Sequence, residues 1–332
     1  MIFIDLGTAN TVIVGPEGVL LNEPSVIALQ DVGPNKKRVL GAGHKALELL
    51  KSSPGNIYLR YSLRDGVVAD IASSEAMLEW FFQDRRVKSV SSHPTAIIVV
   101  PFHSTEVERR GTIQIGQAAG AKKVILVDEP LAAALGAGLD IRSPVGQMII
   151  DLGGGTVEVS IISLGDVVYC ESLRMGGHRW VDAIREYLVR ERDLVVSHEL
   201  IEEIKKQYVS ALPSLALDQI RLQGLHAKKG TPVELEISAG ELSQVLSPFF
   251  SLISKAVFQA LEKVSAELVS DIMDRGITLV GGGALTRHID KRLFNETQIP
   301  TRLAPDPLLC MAYGGQKLLQ DEKLLDEIYI EM

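Results

Sequence analysis

The sequence predicts an α/β protein of two related domains, and three observations carry that prediction. One phrase is written nearly twice: Ile2–Val14 reads IFIDLGTANTVIV and Ile149–Ile162 reads IIDLGGGTVEVSII. Short apolar, strand-like runs alternate with helical stretches along the chain. At 332 residues the chain exceeds the size at which one hydrophobic core usually suffices. The 146-residue offset between the two Asp-Leu-Gly phrases is too long for a stacked repeat and suits a duplicated domain.

Strands are expected at 2–5, 10–14, 25–29, 95–100, 123–127, 147–151, 157–163 and 277–280. Asn22-Glu23-Pro24 and Gly33-Pro34-Asn35 are turn clusters framing one of them. Thr105 with Glu108 makes a capping box for a helix that Gly120 ends. Pro130 suits the first turn of the next helix, with Asp128 or Glu129 as its cap. Residues 142–146 (RSPVG) link into the second half, where a helix runs from about 177 to 192. A more polar region, about 183–245, reads as a peripheral subdomain. Ser238 with Glu241 opens a long apolar-periodic helix that Pro248 interrupts.

Composition narrows the class. Hydrophobic content of 46% and charge of 23% are those of an ordinary globular protein. A net charge of −8 argues against nucleic acid, which demands a basic face. Cys170 and Cys310 lack metal-ligand spacing and read as reduced, buried thiols. The opening apolar run is ended by Asp5, too soon for a secretory signal, and no run approaches the ~18 apolar residues of a membrane span. A cytoplasmic location is expected.

The chemistry sits at the turns. Gly7, Thr8 and Ala9 in the first hairpin and Gly153, Gly154, Gly155 and Thr156 in the second let amides converge on an anion. Three consecutive glycines are costly between strands unless something approaches the backbone. Asp5 and Asp151 end their strands, where a carboxylate can hold a hydrated divalent cation. Gly281, Gly282 and Gly283 follow another strand, which could let a flat ring or phosphate lie on bare backbone, though by itself the cluster better suits a close strand–helix crossing. Glu129, at a strand's carboxyl end, either caps a helix or orients a water for attack on phosphorus; for Asp128 capping is the simpler reading. Glu202 and Lys205 share a helix face, as a plain ion pair or a nucleoside contact. GAGHKA at 41–46 matches a dinucleotide fingerprint only loosely, and no GxxxxGK[ST] loop exists.

Taken in order, these residues resemble the actin, chaperone and sugar-kinase ATPase superfamily and, within it, the MreB family of bacterial actin homologues. The likeness runs through IDLGTANTVIV, GVLLNEPSVIAL, SPGNI, RDGVVADI, VPFHSTEVERR, VILVDEPLAAALGAGL, IIDLGGGTVEVSIISLGDVV, ITLVGGGALTRHIDKRL and PDPLLCMAYGG. It implies an actin-like fold: domain I over 1–142 with 308–332 returning to it and a small subdomain at about 24–60, and domain II over 143–307 with its small subdomain at about 183–245. It implies ATP and Mg²⁺ in the cleft between the domains. Gly7, Thr8, Ala9, Asn10 and Thr11, with Gly153, Gly154, Gly155 and Thr156, would hold phosphates; Asp5 and Asp151 would hold Mg²⁺ through water; Glu129 would position the hydrolytic water. Gly281, Gly282, Gly283 and Ala284 would floor the adenosine pocket, reached by Glu202 and Lys205.

The resemblance also implies a slow ATPase whose copies form filaments at the inner face of the cytoplasmic membrane, acting with cell-wall elongation proteins to keep rod shape. The alternatives are a small-molecule kinase of the same superfamily, for which no acceptor-side aspartate is evident, and a scaffold that hydrolyses weakly. A chaperone is disfavoured, since no peptide-binding module follows. His178 and Val181 stand where the family usually has acids, with Asp182 displaced by one residue. Gln207 and Val209 replace a glutamate and a glycine. No amphipathic helix precedes the first strand, so membrane contact would fall to residues 81–94, where Val87 and Val90 sit among Arg85, Arg86 and Lys88.

Overall fold

The computed structural model describes residues 1–33, 36–52, 57–64 and 66–331. Pro34 and Asn35 of the expected turn, most of SPGNI and Asp65 of RDGVVADI lie outside the described residues. The chain divides into two compact units, Met1–Ser143 with Ile162–Val167 and Leu309–Met332, and Pro144–Ile161 with Val168–Leu308.

In chain order the first unit has β1 (Ile2–Leu6), β2 (Asn10–Gly15), β3 (Gly18–Pro24), β4 (Val26–Gly33), β5 (Lys36–Ala42), α1 (His44–Ser52), β6 (Ile57–Tyr61), β7 (Leu63–Arg64), β8 (Val67–Val68), α2 (Ile71–Phe82), α3 (Arg85–Val90), β9 (Thr95–Val100), α4 (Glu106–Ala118), β10 (Lys123–Asp128) and α5 (Glu129–Gly136). The second has β11 (Gln147–Leu152), β12 (Val157–Ser163), β13 (Asp166–Leu173), α6 (Gly177–Arg192), β14 (Leu194–Val195), α7 (His198–Tyr208), β15 (Gln219–His226), β16 (Pro232–Ser238), α8 (Ala239–Leu261), α9 (Ala266–Arg275), β17 (Ile277–Val280), α10 (Ile289–Thr297) and β18 (Thr301–Leu303); α11 (Cys310–Gln320) and α12 (Glu322–Ile328) return to the first.

The duplication is a matter of topology as well as wording. One sheet runs β10-β9-β1-β2-β3 and the other β18-β17-β11-β12-β13. In each, the strand carrying Asp-Leu-Gly has a parallel neighbour on one side and its hairpin partner on the other. Central strands bury both faces, which is why Ile2, Phe3 and Ile4, and Met148, Ile149 and Ile150, are runs without alternation. The carboxyl ends of β1, β9 and β10 lie together, as do those of β11 and β17, and ligands of α/β sheets gather at such ends.

Helix chemistry follows local rules. The Thr105 hydroxyl accepts from Glu108 N while the Glu108 carboxylate accepts from Thr105 N, and α4 ends before Gly120, whose φ is +112°. Ser238 caps α8, but the Glu241 carboxylate leaves the expected box to accept from Tyr187 and Arg192. Helices α5 and α11 approach closely through glycines, and a Cβ at Gly136 would lie 2.9 Å from Gly314 N. Beyond the main sheets, β5-β4-β6 packs Val26 and Ala28 on Ala46 of α1, and β14-β15-β16 fills the polar region expected at 183–245. In the second core Trp180 meets Phe250 edge to face at 5.3 Å.

Residues 85–90 do not form the expected basic–apolar loop. Asp84 caps α3 through Arg86 N, Val87 is 1% exposed, and Val90 packs on the same core. Burying Val87 removes one of the two apolar side chains that such a contact would use, while Val90 stays partly exposed.

Candidate functional site

The first hairpin turn is held by Ser25. Its hydroxyl donates to Gly7 O (2.6 Å), its amide donates to Ala9 O (3.0 Å), and the Thr11 hydroxyl bonds to Ser25 Oγ (2.9 Å). All peptides among the described residues are trans, so each amide points opposite to the preceding carbonyl. The N–H groups of Thr8 and Asn10 therefore point away from Ser25. Ala9 and Asn10 are exposed, whereas Thr11 is 1% exposed and spends its hydroxyl on the fold. The Thr8 hydroxyl accepts from Gly66 N (2.9 Å), tying the turn to the β7–β8 loop. A Cβ at Gly7 would crowd Asn10 O at 2.7 Å.

The second turn uses the same device with a helix in place of a serine. Gly176 N donates to Gly155 O (2.9 Å), Gly177 N to Gly153 O (3.0 Å) and His178 N to Gly154 O (2.9 Å). These bonds satisfy amides that the head of α6 would otherwise leave orphaned. By peptide planarity the N–H groups of Gly154, Gly155 and Thr156 face the opposite way, three in succession. Successive amides aimed one way make a backbone concavity of the kind that can hold an anion. Sequence reasoning missed Ser25, Gly66 and Gly176 as its supports; the Gly176-Gly177 pair before a helix was the available signal.

Asp151 is the penultimate residue of β11 beside this turn, and burial pushes its carboxyl up to about 6. Gly281, at φ +80°, passes so close that a Cβ there would overlap the Asp151 carboxylate. Gly283 would crowd Leu152 Cβ at 2.8 Å, so Gly281 and Gly283 serve a close crossing, whereas Gly282 meets only Leu308 Cδ1 at 3.4 Å. They also leave bare backbone, with Gly282 exposed; Ala284 buries its methyl completely and can offer a ligand only main chain. No cluster of three ligating side chains exists among the described residues. That fits Mg²⁺, which takes one or two carboxylates and completes its shell with water and phosphate. Asp151 is such a carboxylate, desolvated and short of counter-charge; Asp5 holds the equivalent place at the end of β1.

Glu129 opens α5 at the carboxyl end of β10 and lines a cavity with Leu6, Gly66, Pro101, Ser104 and Glu108. Asp128 occupies the cap position, yet its side chain makes no capping bond, correcting the simple reading. Its Oδ1 is buried without a hydrogen-bond partner, and desolvation raises the carboxyl to about 6 against the pull of Arg109 and His103. A carboxyl whose folded pKa exceeds its unfolded value of 3.8 lends stability below pH 4 and loses it as pH rises through 6. Asp128→Asn is therefore expected to gain about 1–3 kcal/mol at pH 7.5 and nothing at pH 3.5. Urea midpoints of both proteins at the two pH values check this, and equal gaps would refute it.

Glu202 and Lys205 form more than a surface pair. Their charges lie 2.7 Å apart, the Lys205 side chain is 11% exposed, and its Nζ donates to Gly177 O (3.2 Å) at the head of α6. His178 is half-buried beside them, while Val181 is fully buried in the core, where an acid would have no place without rearrangement. Asp182 pairs with Arg185 at the surface (3.1 Å), Gln207 is exposed and Val209 is buried. The fingerprint-like GAGHKA does join a strand to a helix, but the anion at that helix start is internal: Glu23 Oε2 accepts from His44 N at 2.8 Å.

A family model described as MreB/Mbl protein matches residues 1–327. The chain is 42% identical over 320 residues to the cell shape-determining protein MreB of Escherichia coli K12, covering 96% of this chain and 92% of that protein. It is 37% identical to the cell shape-determining protein Mbl of Bacillus subtilis, covering 96% and 95%. Among solved structures, MreB5 of Spiroplasma citri bound to AMPPNP superposes with a TM-score of 0.89 at 34% identity, covering 96% and 95%. MamK, solved as a double helical filament, shares the fold at 20% identity and a TM-score of 0.76. No helix among the described residues is long and apolar enough to cross a membrane. With the family's pattern matched almost end to end and its architecture reproduced in both units, the chain is an actin-like protein of the MreB/Mbl family.

Proposed function

We propose that this chain is an ATP-dependent, filament-forming cytoskeletal protein that sets cell shape. The observation that carries the reading is the pair of turns whose carbonyls are tied back by Ser25 and by the head of α6, leaving rows of amides for phosphate. The Spiroplasma citri relative was solved with both AMPPNP and ADP, which supports the choice of nucleotide.

In this reading Thr8, Asn10, Gly154, Gly155 and Thr156 donate backbone N–H bonds to phosphate oxygens, with Gly7 and Gly153 allowing the approach. Asp5 and Asp151 would hold Mg²⁺ through water, where the ion supplies neutralisation of phosphate charge. Gly281–Gly283 carry the adenosine on bare backbone, and Glu202 and Lys205 reach the sugar or base. Glu129 accepts a hydrogen bond from the attacking water and aligns it with the terminal phosphorus. Loss of that phosphate removes a ligand of the turn amides and biases the chain away from its polymer-competent form. Copies of the chain assemble into filaments in the cytoplasm, at the inner face of the membrane, with cell-wall elongation proteins as partners.

Glu129→Ala is expected to bind ATP within about threefold of the parent while phosphate release falls about 100-fold or more. A fluorescent-nucleotide titration and a phosphate assay measure the two separately, and unchanged turnover would remove Glu129 from its role. The polymer reading is tested by pelleting with ATP, ADP and no nucleotide. Equal pelleting in all three would break the coupling.

A further inference from the structure

The head of α6 gathers more titratable groups than a phosphate turn requires. His178 is the second residue of that helix, and its ring stands edge to face with that of His198 on α7, centroids 6.5 Å apart. Glu202 and Lys205 of α7 and Asp182 of α6 also face it. Burial, Lys205 and His198 disfavour the imidazolium, and Glu202 and Asp182 favour it; burial dominates, so the ring is held below the ordinary histidine range. The helix N-terminus adds to the same side, since α6 has no acid in its first turn.

The route to the ligand is short. The Gly154 carbonyl that accepts from His178 N and the Gly155 N–H that faces the phosphate are opposite edges of one peptide. An anion on that N–H lies roughly 8 Å from the main-chain nitrogen of His178, one carbonyl–amide span plus two hydrogen bonds. At that range a multiply charged group still acts strongly through partly buried protein. Glu202 and Lys205 cannot cancel the effect, because they already neutralise each other at 2.7 Å.

We propose that His178 is a proton-taking residue of the nucleotide site, neutral in the free chain and protonated when a nucleoside polyphosphate occupies the Gly153–Thr156 turn. The proposal rests on the nucleotide reading given above and goes beyond it, making binding consume a proton from solvent and tighten as pH falls. His178 acts through charge; it is a positioning residue and touches no reacting atom.

Calorimetric titration of the full chain with Mg²⁺-AMPPNP, in two buffers of different ionisation enthalpy, counts the protons taken up. Affinity is followed from pH 8 to pH 6 in the parent, in His178→Gln and in His198→Gln. The parent is expected to take up a fraction of a proton near pH 7 and to gain about fivefold more affinity across that range than His178→Gln. The ligand's own titration is common to all three proteins and drops out of the comparison. His198→Gln, exposed on the facing helix, removes a group that disfavours the imidazolium and should shift the pH range of the gain without abolishing the proton uptake, and thermal melts confirm that both variants fold. Equal slopes and proton counts in the parent and His178→Gln would overturn this proposal and leave the nucleotide reading standing. A parent that binds no nucleotide at any pH would overturn that reading and this one together.

Discussion

Alanine at Gly314 is expected to destabilise the first unit by about 4 kcal/mol or more, a loss seen only for severe core changes. The added Cβ would overlap the Ala132 carbonyl oxygen and lie 2.7 Å from its carbon. Across the same contact, a Cβ at Gly136 would overlap the Cys310 carbonyl oxygen. Both obstacles are backbone, so relief requires α5 and α11 to part along their packed length. Because α5 begins at Glu129, the same movement would displace the carboxylate assigned to the attacking water. Hydrogen exchange over 129–136 and 310–320, with a denaturant melt, measures both effects. Gly111→Ala is the contrast: it sits inside α4 with only Ile71 Cδ1 near, at 4.0 Å, and should gain about 0.5–1 kcal/mol. Similar melts for the two variants would refute backbone contact between the helices.

Gly176→Ala should abolish nucleotide affinity more completely than any side-chain change in the site. A Cβ there would stand 2.6 Å from Gly155 C and 2.7 Å from both Gly153 O and Gly154 C. The head of α6 must then retreat, and the three bonds that hold the turn's carbonyls are lost together. The amides of Gly154, Gly155 and Thr156 lose their common direction, and preorganisation is what makes such a turn bind. A loss of about 100-fold or more in fluorescent-nucleotide affinity is expected, with about 2–4 kcal/mol of stability. Affinity within threefold of the parent, in a protein that still folds, would show that phosphate is held elsewhere.

Much of the fold was legible because its signals are local. The expected strands at 2–5, 95–100, 123–127 and 157–163 fall on β1, β9, β10 and β12, since β1, β9 and β12 are central and the edge strand β10 is likewise a continuous apolar run. The cap of α4 and the start of α5 were readable from Thr105, Glu108 and Pro130. The sheet β14-β15-β16 was not read, although QIRLQGLH alternates and buries Ile220 and Leu222 beneath exposed Gln219, Arg221 and Gln223. High charge hid the period-two pattern there. The valines of 81–94 were misread for a related reason: among three basic residues they look exposed, yet helical spacing turns Val87 inward.

The sequence by itself determined the residue pattern of the turns and the duplication that places one in each unit. Glycine runs and strand-end aspartates are short-range patterns, and no distant contact is needed to read them. Tertiary structure decided how those turns are aimed and what their neighbours are worth. Ser25 reaches Gly7 across 18 residues, Glu23 takes the helix start at His44 across 21, and Lys205 bonds Gly177 across 28. The same long-range packing left Asp128 uncapped, buried Val181 and made the Glu202–Lys205 pair part of the helix head. A side chain's direction and desolvation depend on elements that meet only after folding, so the residue pattern could name the candidate turns but not which of their amides share a direction.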